Sequence, residues 1–535
     1  MKVKSDDLSR NFLHGAFILT VAALVTKILS AGYRIPFQNI AGDIGFYIYQ
    51  QVYPFYAIAL ILSTYGFPVV ISKIIAENQS KSTRFDIKSF LLSAYIILGF
   101  IGFGIFIILY AGAGGIAGVM SDPSLAPLIR IISFSFLLLP TISVLRGFYQ
   151  GMGDMLPTAY SQVGEQLVRV FCILLFSFVL FSQGRSLYEV GAGALFGSLI
   201  GGLMSILILL TLFWFRNDWA KLSYEGIKLN FLTTAKLLVI HGVSFCITNL
   251  VLVLIQLVDA LELYPLLLDH GMKESHAKQW KGVFDRGQPL IQLGTVAITS
   301  LSLTLVPLIS QFRLQKKEEE LNHYVELSLR MNLMLGAAST VGLICIIKPT
   351  NIMLFMDDKG STALGVLAIS ILFCSIFMTT ASILQSMGRS YITVTVVISG
   401  IIIKWMLMHL FVPSIGILGA SYSTVLSFLW MTFILAIVLR REIRVSLLKA
   451  KTILLIGTAI VSMSLVLLLH RFIFTVLIGD EMERGFAALQ ALTGVPLGAA
   501  IYIWVIIRFG LFSRHELSLL PLGSKLSKLL PNKRS

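Results

Sequence analysis

Two cations seven residues apart in the first long apolar run are the side chains whose type and spacing suggest chemistry. They lie in Thr26-Lys27-Ile28-Leu29-Ser30-Ala31-Gly32-Tyr33-Arg34-Ile35-Pro36. On a helix, Lys27 and Arg34 share one face, two turns or ~10 Å apart. Charges on a membrane helix are costly unless they face protein, water or an anion. The pattern points to an anion-binding face turned toward a cavity; the competing reading is that Arg34 snorkels to outer headgroups. Gly32 and Pro36 bracket Arg34 and predict a bend there.

Other ionisable residues in apolar runs divide by spacing. Glu165 and Arg169 are four apart and read first as a self-neutralising helical pair, with ion coupling as the sharper alternative. Lys404 has no acid in its own run, so it must find a partner elsewhere or face water. Asp259 and Glu262, three apart, share a face and are either solvated near the outer surface or a cation site. Asp285-Arg286-Gly287-Gln288-Pro289-Leu290 opens another run. A guanidinium there can clamp phosphate in bidentate fashion, unless Arg286 simply pairs with Asp285.

Much chemistry is missing from the sequence. It has no Gly-x-x-x-x-Gly-Lys-Ser/Thr loop for a nucleotide, and its eight histidines are scattered without zinc spacing. Cys172, Cys246, Cys345 and Cys374 lie in apolar runs at unrelated spacings. No nucleophile–His–acid arrangement stands out. The expectation is a transporter rather than an enzyme, with no cofactor or metal and no nucleotide.

The elements that hold these residues are set by composition. Hydrophobic residues make up 56% of 535, charged residues 13%, and mean hydropathy is +0.86. That excludes a water-soluble globule and predicts an all-α polytopic membrane protein. A net charge of +15 invites a nucleic-acid reading, but the basic residues sit in short loops, where they set topology. Lys2, Lys4 and Arg10 precede the first apolar run as in a signal peptide. That run carries Lys27 and continues past cleavable length, so it reads as a retained helix.

Fourteen spans are expected, at roughly 12–35, 46–72, 89–111, 126–147, 158–182, 188–215, 233–261, 287–311, 326–347, 362–386, 391–411, 415–439, 452–470 and 486–507. With the N-terminus inside, inner segments carry 26 of the 42 Lys and Arg and outer loops carry nine, counting Arg146 with the inner loop that follows it. The other seven lie within spans. This bias predicts both termini in the cytoplasm. The tail, with Lys525, Lys528, Lys533 and Arg534, reads as a basic surface segment. No loop is long enough for a soluble domain.

An internal repeat appears at an offset of 235. Gln150-Gly151-Met152-Gly153-Asp154 matches Gln385-Ser386-Met387-Gly388-Arg389, and the same offset carries Arg169 onto Lys404. Gly193-Ala194 and Gly419-Ala420 open the sixth and twelfth spans, and Pro68 has a looser counterpart in Pro307. Six spans repeat against six in the same orientation, a parallel repeat. The expected organisation is an N-lobe at 1–220, a C-lobe at 221–445, two added helices at 446–510 and a basic tail at 511–535.

The stretch from Gly15 to Glu77, with Ala41-Gly42-Asp43-Ile44-Gly45-Phe46-Tyr47 and Gly66-Phe67-Pro68, resembles polysaccharide-export membrane proteins of the stage V sporulation protein B type. Asp285-Arg286-Gly287-Gln288-Pro289-Leu290 and Gly151-Met152-Gly153-Asp154 fit the same group. It lies in the multidrug/oligosaccharidyl-lipid/polysaccharide exporter superfamily, with the bacterial lipid II flippase, and the resemblance spans essentially the whole chain. It implies a V-shaped pair of six-helix lobes and alternating access, moving an undecaprenyl-linked cell-envelope saccharide outward as a monomer. A sodium or proton gradient, or the membrane potential, would bias direction. Thr26-Lys27 and Arg34 look like the flippase's cavity-lining polar residue and two cations, and Arg286 resembles its eighth-helix Arg. The flippase's second-helix cation has no match in Gln51-Val52-Tyr53-Pro54. The two added helices would form a groove for the prenyl tail. Rival readings are a cation-coupled drug exporter, which would prefer carboxylates in its cavity, a membrane glycosyltransferase, which would need an acidic site on a substantial outer loop that is not visible in this sequence, and a non-transporting envelope or spore assembly factor.

Overall fold

Long apolar runs become helices because hydrocarbon offers no partner for a free N–H or C=O. The computed structural model describes residues 18–80, 86–221, 230–443, 450–479 and 483–511. The basic tail at 511–535 falls outside them apart from Leu511.

The helices in chain order are α1 (18–32), α2 (Arg34–Ile61), α3 (Phe67–Ser80), α4 (Ile87–Val119), α5 (Ala126–Ser133) and α6 (Ser135–Gly151). Next come α7 (Leu156–Ser182), α8 (Leu187–Phe215), α9 (Phe231–Asp269), α10 (Glu274–Asp285), α11 (Gly287–Leu314) and α12 (Glu318–Cys345). The last six are α13 (Ile347–Phe355), α14 (Ser361–Ser386), α15 (Ser390–Ile415), α16 (Ile417–Glu442), α17 (Ala450–Ile478) and α18 (Arg484–Arg508). A π-helical turn, Leu62–Gly66, joins α2 to α3.

Among the described residues, twelve helices are long and apolar enough to cross a membrane. One of them, Ile18–Asn78, runs 61 residues and contains the second expected span and the part of the first from residue 18 on; residues 12–17 of that span lie outside the described residues. The eighth expected span falls in α11, which is not one of the twelve. The chain is a multi-pass, all-helical membrane protein.

The bend expected between Gly32 and Pro36 is displaced. Tyr33 keeps near-helical angles (φ −66°, ψ −23°), and the non-helical residue is Gly42 (φ 67°, ψ −175°). Pro36 lies in the first turn of α2, where a missing N–H costs little.

Helix ends are capped by their own sequence. Asp86 accepts a bond from the Ser89 N–H at 2.9 Å to start α4. Ser186 and Glu189 form a reciprocal capping box on α8. The repeated Gln-x-Met-Gly motif is a repeated helix stop. Gly153 (φ 79°) and Gly388 (φ 77°) take the left-handed conformation that ends α6 and α14. Their N–H groups donate to the carbonyls of Gln150 (3.1 Å) and Gln385 (2.9 Å). The next residue ties each turn to a later helix end, with the charges reversed: Asp154 pairs with Arg216, and Arg389 with Glu442 at 3.0 Å.

Two compact units make up the chain. The first holds the described residues up to Leu293 together with Ser390–Ser423; the second holds Gly294–Arg389 and the described residues from Thr424 onward. In the first, α7 lies along α8, and α9 along α15. Gly201 of α8 makes the α7 contact close, because a Cβ there would fall 2.7 Å from the Arg169 Cβ. In the second, α17 and α18 pack together and against α12, around Met331, Ile456, Met463, Leu467, Tyr502 and Ile506. The Tyr502 hydroxyl donates to the Met334 carbonyl at 2.8 Å.

Candidate functional site: two guanidiniums among tyrosines

The first unit buries an unusual amount of charge, and most of it is paired. Arg146, fully buried on α6, donates to Glu165 (2.8 Å), Ser161 (3.0 Å), Thr64 (2.9 Å) and Ser205 (2.9 Å). This corrects the expected Glu165–Arg169 pair: Glu165 is taken by Arg146, from a different helix. Lys404, fully buried on α15, finds its partner in Asp259 of α9 at 2.6 Å.

Asp259 and Glu262 thus have different partners. Glu262 instead accepts from the Trp405 indole N–H at 3.1 Å and lies 3.6 Å from His409 Nε2.

Toward α10 the pattern continues. Arg286 directs Nε (3.0 Å) and Nη2 (2.6 Å) to the same Asp43 oxygen, which also accepts from Gln38 at 2.9 Å. Asp285, the neighbour offered as its alternative partner, is held by Lys281 at 2.7 Å. Burial pushes the Asp285 carboxyl up to about 6, against the pull of Lys281. Lys278 approaches Asp122 at 3.4 Å, and Asp122 also accepts from the hydroxyls of Tyr47 (3.0 Å) and Tyr188 (2.6 Å). Gln288 accepts from Gln256 at 2.6 Å. Thr26 and Lys27 are half-buried on α1, and the Thr26 hydroxyl turns back to the Ala23 carbonyl at 2.9 Å.

Two cations break this pattern. Arg34 is fully buried at the start of α2, and none of its three side-chain nitrogens makes a well-formed hydrogen bond among the described residues. Its guanidinium lies 4.4 Å over the Tyr53 ring. Arg169 is equally buried; it donates to the Tyr56 hydroxyl (3.1 Å) and more weakly to Ser30 (3.3 Å), and its Nε has no partner among the described residues. It faces the Tyr56 ring at 5.2 Å and the Tyr33 ring at 5.8 Å. Neither arginine has a carboxylate within ion-pair distance among the described residues.

The tyrosines form one connected wall. The hydroxyls of Tyr33 and Tyr49 bond at 2.7 Å, Tyr49 and Tyr53 have ring centroids 5.8 Å apart, and Tyr53 and Tyr56 are 6.2 Å apart. Rings stabilise a desolvated cation by ~2 kcal/mol, whereas burying an unmatched ion costs several. The residual positive field favours an anion.

Sequence reasoning missed this wall and Arg146. The tyrosines had a signal: Tyr49, Tyr53 and Tyr56, at spacings of four and three, form one helical stripe. Arg146 was hidden because it stands at the end of a span and counts as a loop charge.

Residues 12–313 match the polysaccharide biosynthesis protein family. The chain belongs to that family. It is 44% identical over 519 residues to an uncharacterised membrane protein, YabM, of Bacillus subtilis (strain 168), covering 96% of each chain. From the same organism, the lipid II flippase MurJ is 25% identical (95% of this chain, 97% of MurJ) and stage V sporulation protein B 26% identical (97% and 99%). The fold resembles the inward closed conformation of lipid II flippase MurJ, with a TM-score of 0.65 and 16% identity over 92% of this chain and 97% of that one. It also resembles an inward-facing multidrug resistance MATE family transporter of the MOP superfamily, with a TM-score of 0.58 and 16% identity over 80% and 94%.

Proposed function

We propose that this chain is a flippase that moves an undecaprenyl-linked cell-envelope saccharide precursor, lipid II-like in its anionic diphosphate head, across the cytoplasmic membrane by alternating access. The observation that carries the reading is Arg34, a fully buried guanidinium with no carboxylate partner among the described residues. A prenyl tail can stay in lipid, but its diphosphate head cannot cross hydrocarbon unaided, and a fixed cation lowers that cost. The family match and the relation to MurJ support the same class of cargo.

In this reading Arg34 holds the head. Arg286 has a different part: its bonds to Asp43 fasten the start of α11 to α2. Lys27, half-buried one face along α1, assists the approach of the anion. Both termini lie in the cytoplasm, following the positive-inside bias, and an ion gradient or the membrane potential sets direction. Paired buried carboxylates disfavour a cationic drug as cargo, since Glu165, Asp259 and Asp43 are already matched.

The test is rescue of cells depleted of their lipid II flippase, using wild type, Arg34→Ala, Lys27→Ala and Arg286→Ala at matched membrane levels. Rescue by wild type and failure of Arg34→Ala are expected. Full rescue by Arg34→Ala would overturn the assignment of that site.

A further inference from the structure

We infer that Arg169 of α7 is the second cation of the same anion pocket, so that Arg34 and Arg169 together take the two phosphates of a diphosphate head. The inference rests on the flippase reading and takes the second cation from another helix. Arg169 reaches Tyr56 on the second span at 3.1 Å, and the Tyr56 ring neighbours the Tyr53 ring beneath Arg34.

Three observations separate Arg169 from a structural charge. It is fully buried and lacks a carboxylate among the described residues, while every other fully buried cation described in the first unit except Arg34 has one within 2.8 Å. Its Nε is unpartnered among the described residues. Its two bonds go to neutral hydroxyls, which an arriving phosphate can displace or join, because phosphate adds the Coulomb attraction of an opposite charge and accepts two guanidinium N–H groups side by side. Tyr33, whose ring lies 5.8 Å from the Arg169 guanidinium, can also turn its hydroxyl to donate to a phosphate oxygen. A planar guanidinium suits that geometry better than a lysine would.

The test uses purified full-length protein in detergent, titrated with farnesyl diphosphate and farnesyl monophosphate. Wild type should prefer the diphosphate by about tenfold. Arg169→Gln should erase that preference while changing monophosphate affinity less than about threefold, and Arg34→Gln should weaken both probes. Arg169→Lys, which keeps the charge, should retain part of the preference and controls for folding. Tyr56→Phe removes the brace but not the cation, and should leave the preference in place. If Tyr56→Phe loses it as fully as Arg169→Gln, Arg169 is a brace and the inference falls. If Arg34→Gln weakens both probes and Arg169→Gln keeps the preference, the inference falls and the flippase reading stands. If wild type binds neither probe, both fall.

Discussion

Arg169 and Lys404 occupy matching places in the internal repeat, 235 residues apart, and both are fully buried in mid-helix. Their surroundings differ. Lys404 is neutralised by Asp259 at 2.6 Å, whereas Arg169 bonds only hydroxyls and faces tyrosine rings. One copy of the repeat has matched its cation and the other has left it open. A matched buried pair holds helices in register, because breaking it strands a charge. An unmatched buried cation gives no such register and carries a desolvation cost, which is why a bound anion is proposed for Arg169.

Mutations can break this contrast in order of size. Asp259→Ala strands Lys404 and should cost about 3–5 kcal/mol, read as a fall in Tm; adding Lys404→Met should recover most of it. If the double variant melts no higher than the single one, the pair is not the cause. Glu165→Gln leaves Arg146 its three hydroxyl partners, so the loss should be smaller, about 1.5–3 kcal/mol. Arg169→Met should keep stability within about 1 kcal/mol of wild type or raise it, yet abolish transport; a large loss of Tm there would make Arg169 structural. Smallest of all, Gly153→Ala and Gly388→Ala should each cost about 1 kcal/mol through the positive φ, with transport preserved.

Much of the fold is legible in the sequence, for a local reason. Membrane helices follow from long apolar runs, and the two Gly-ended turns follow from a short motif that returns at Gly153 and Gly388. Partner choice is not local. Glu165 has Arg169 one turn away and still pairs with Arg146 across helices, because packing of α6 on α7 decides which guanidinium is nearer. Asp259, which spacing groups with Glu262, takes a lysine 145 positions later. Arg34 stands out from spacing alone, since a cation in an apolar run is costly wherever it lands. The wall it faces needs the fold: Tyr33 comes to Tyr49 only through the break at Gly42 that turns the first span into the second.

The central claim is that an unmatched guanidinium at Arg34 receives an anionic prenyl head. The most direct measurement is thermal unfolding of the purified protein with undecaprenyl diphosphate or with undecaprenol of the same length. A ligand that binds only the folded state raises Tm with its concentration. Tm should rise with the diphosphate and not with the alcohol, and Arg34→Gln should show no rise with either. An equal rise with the alcohol, or an undiminished rise in Arg34→Gln, would contradict that claim.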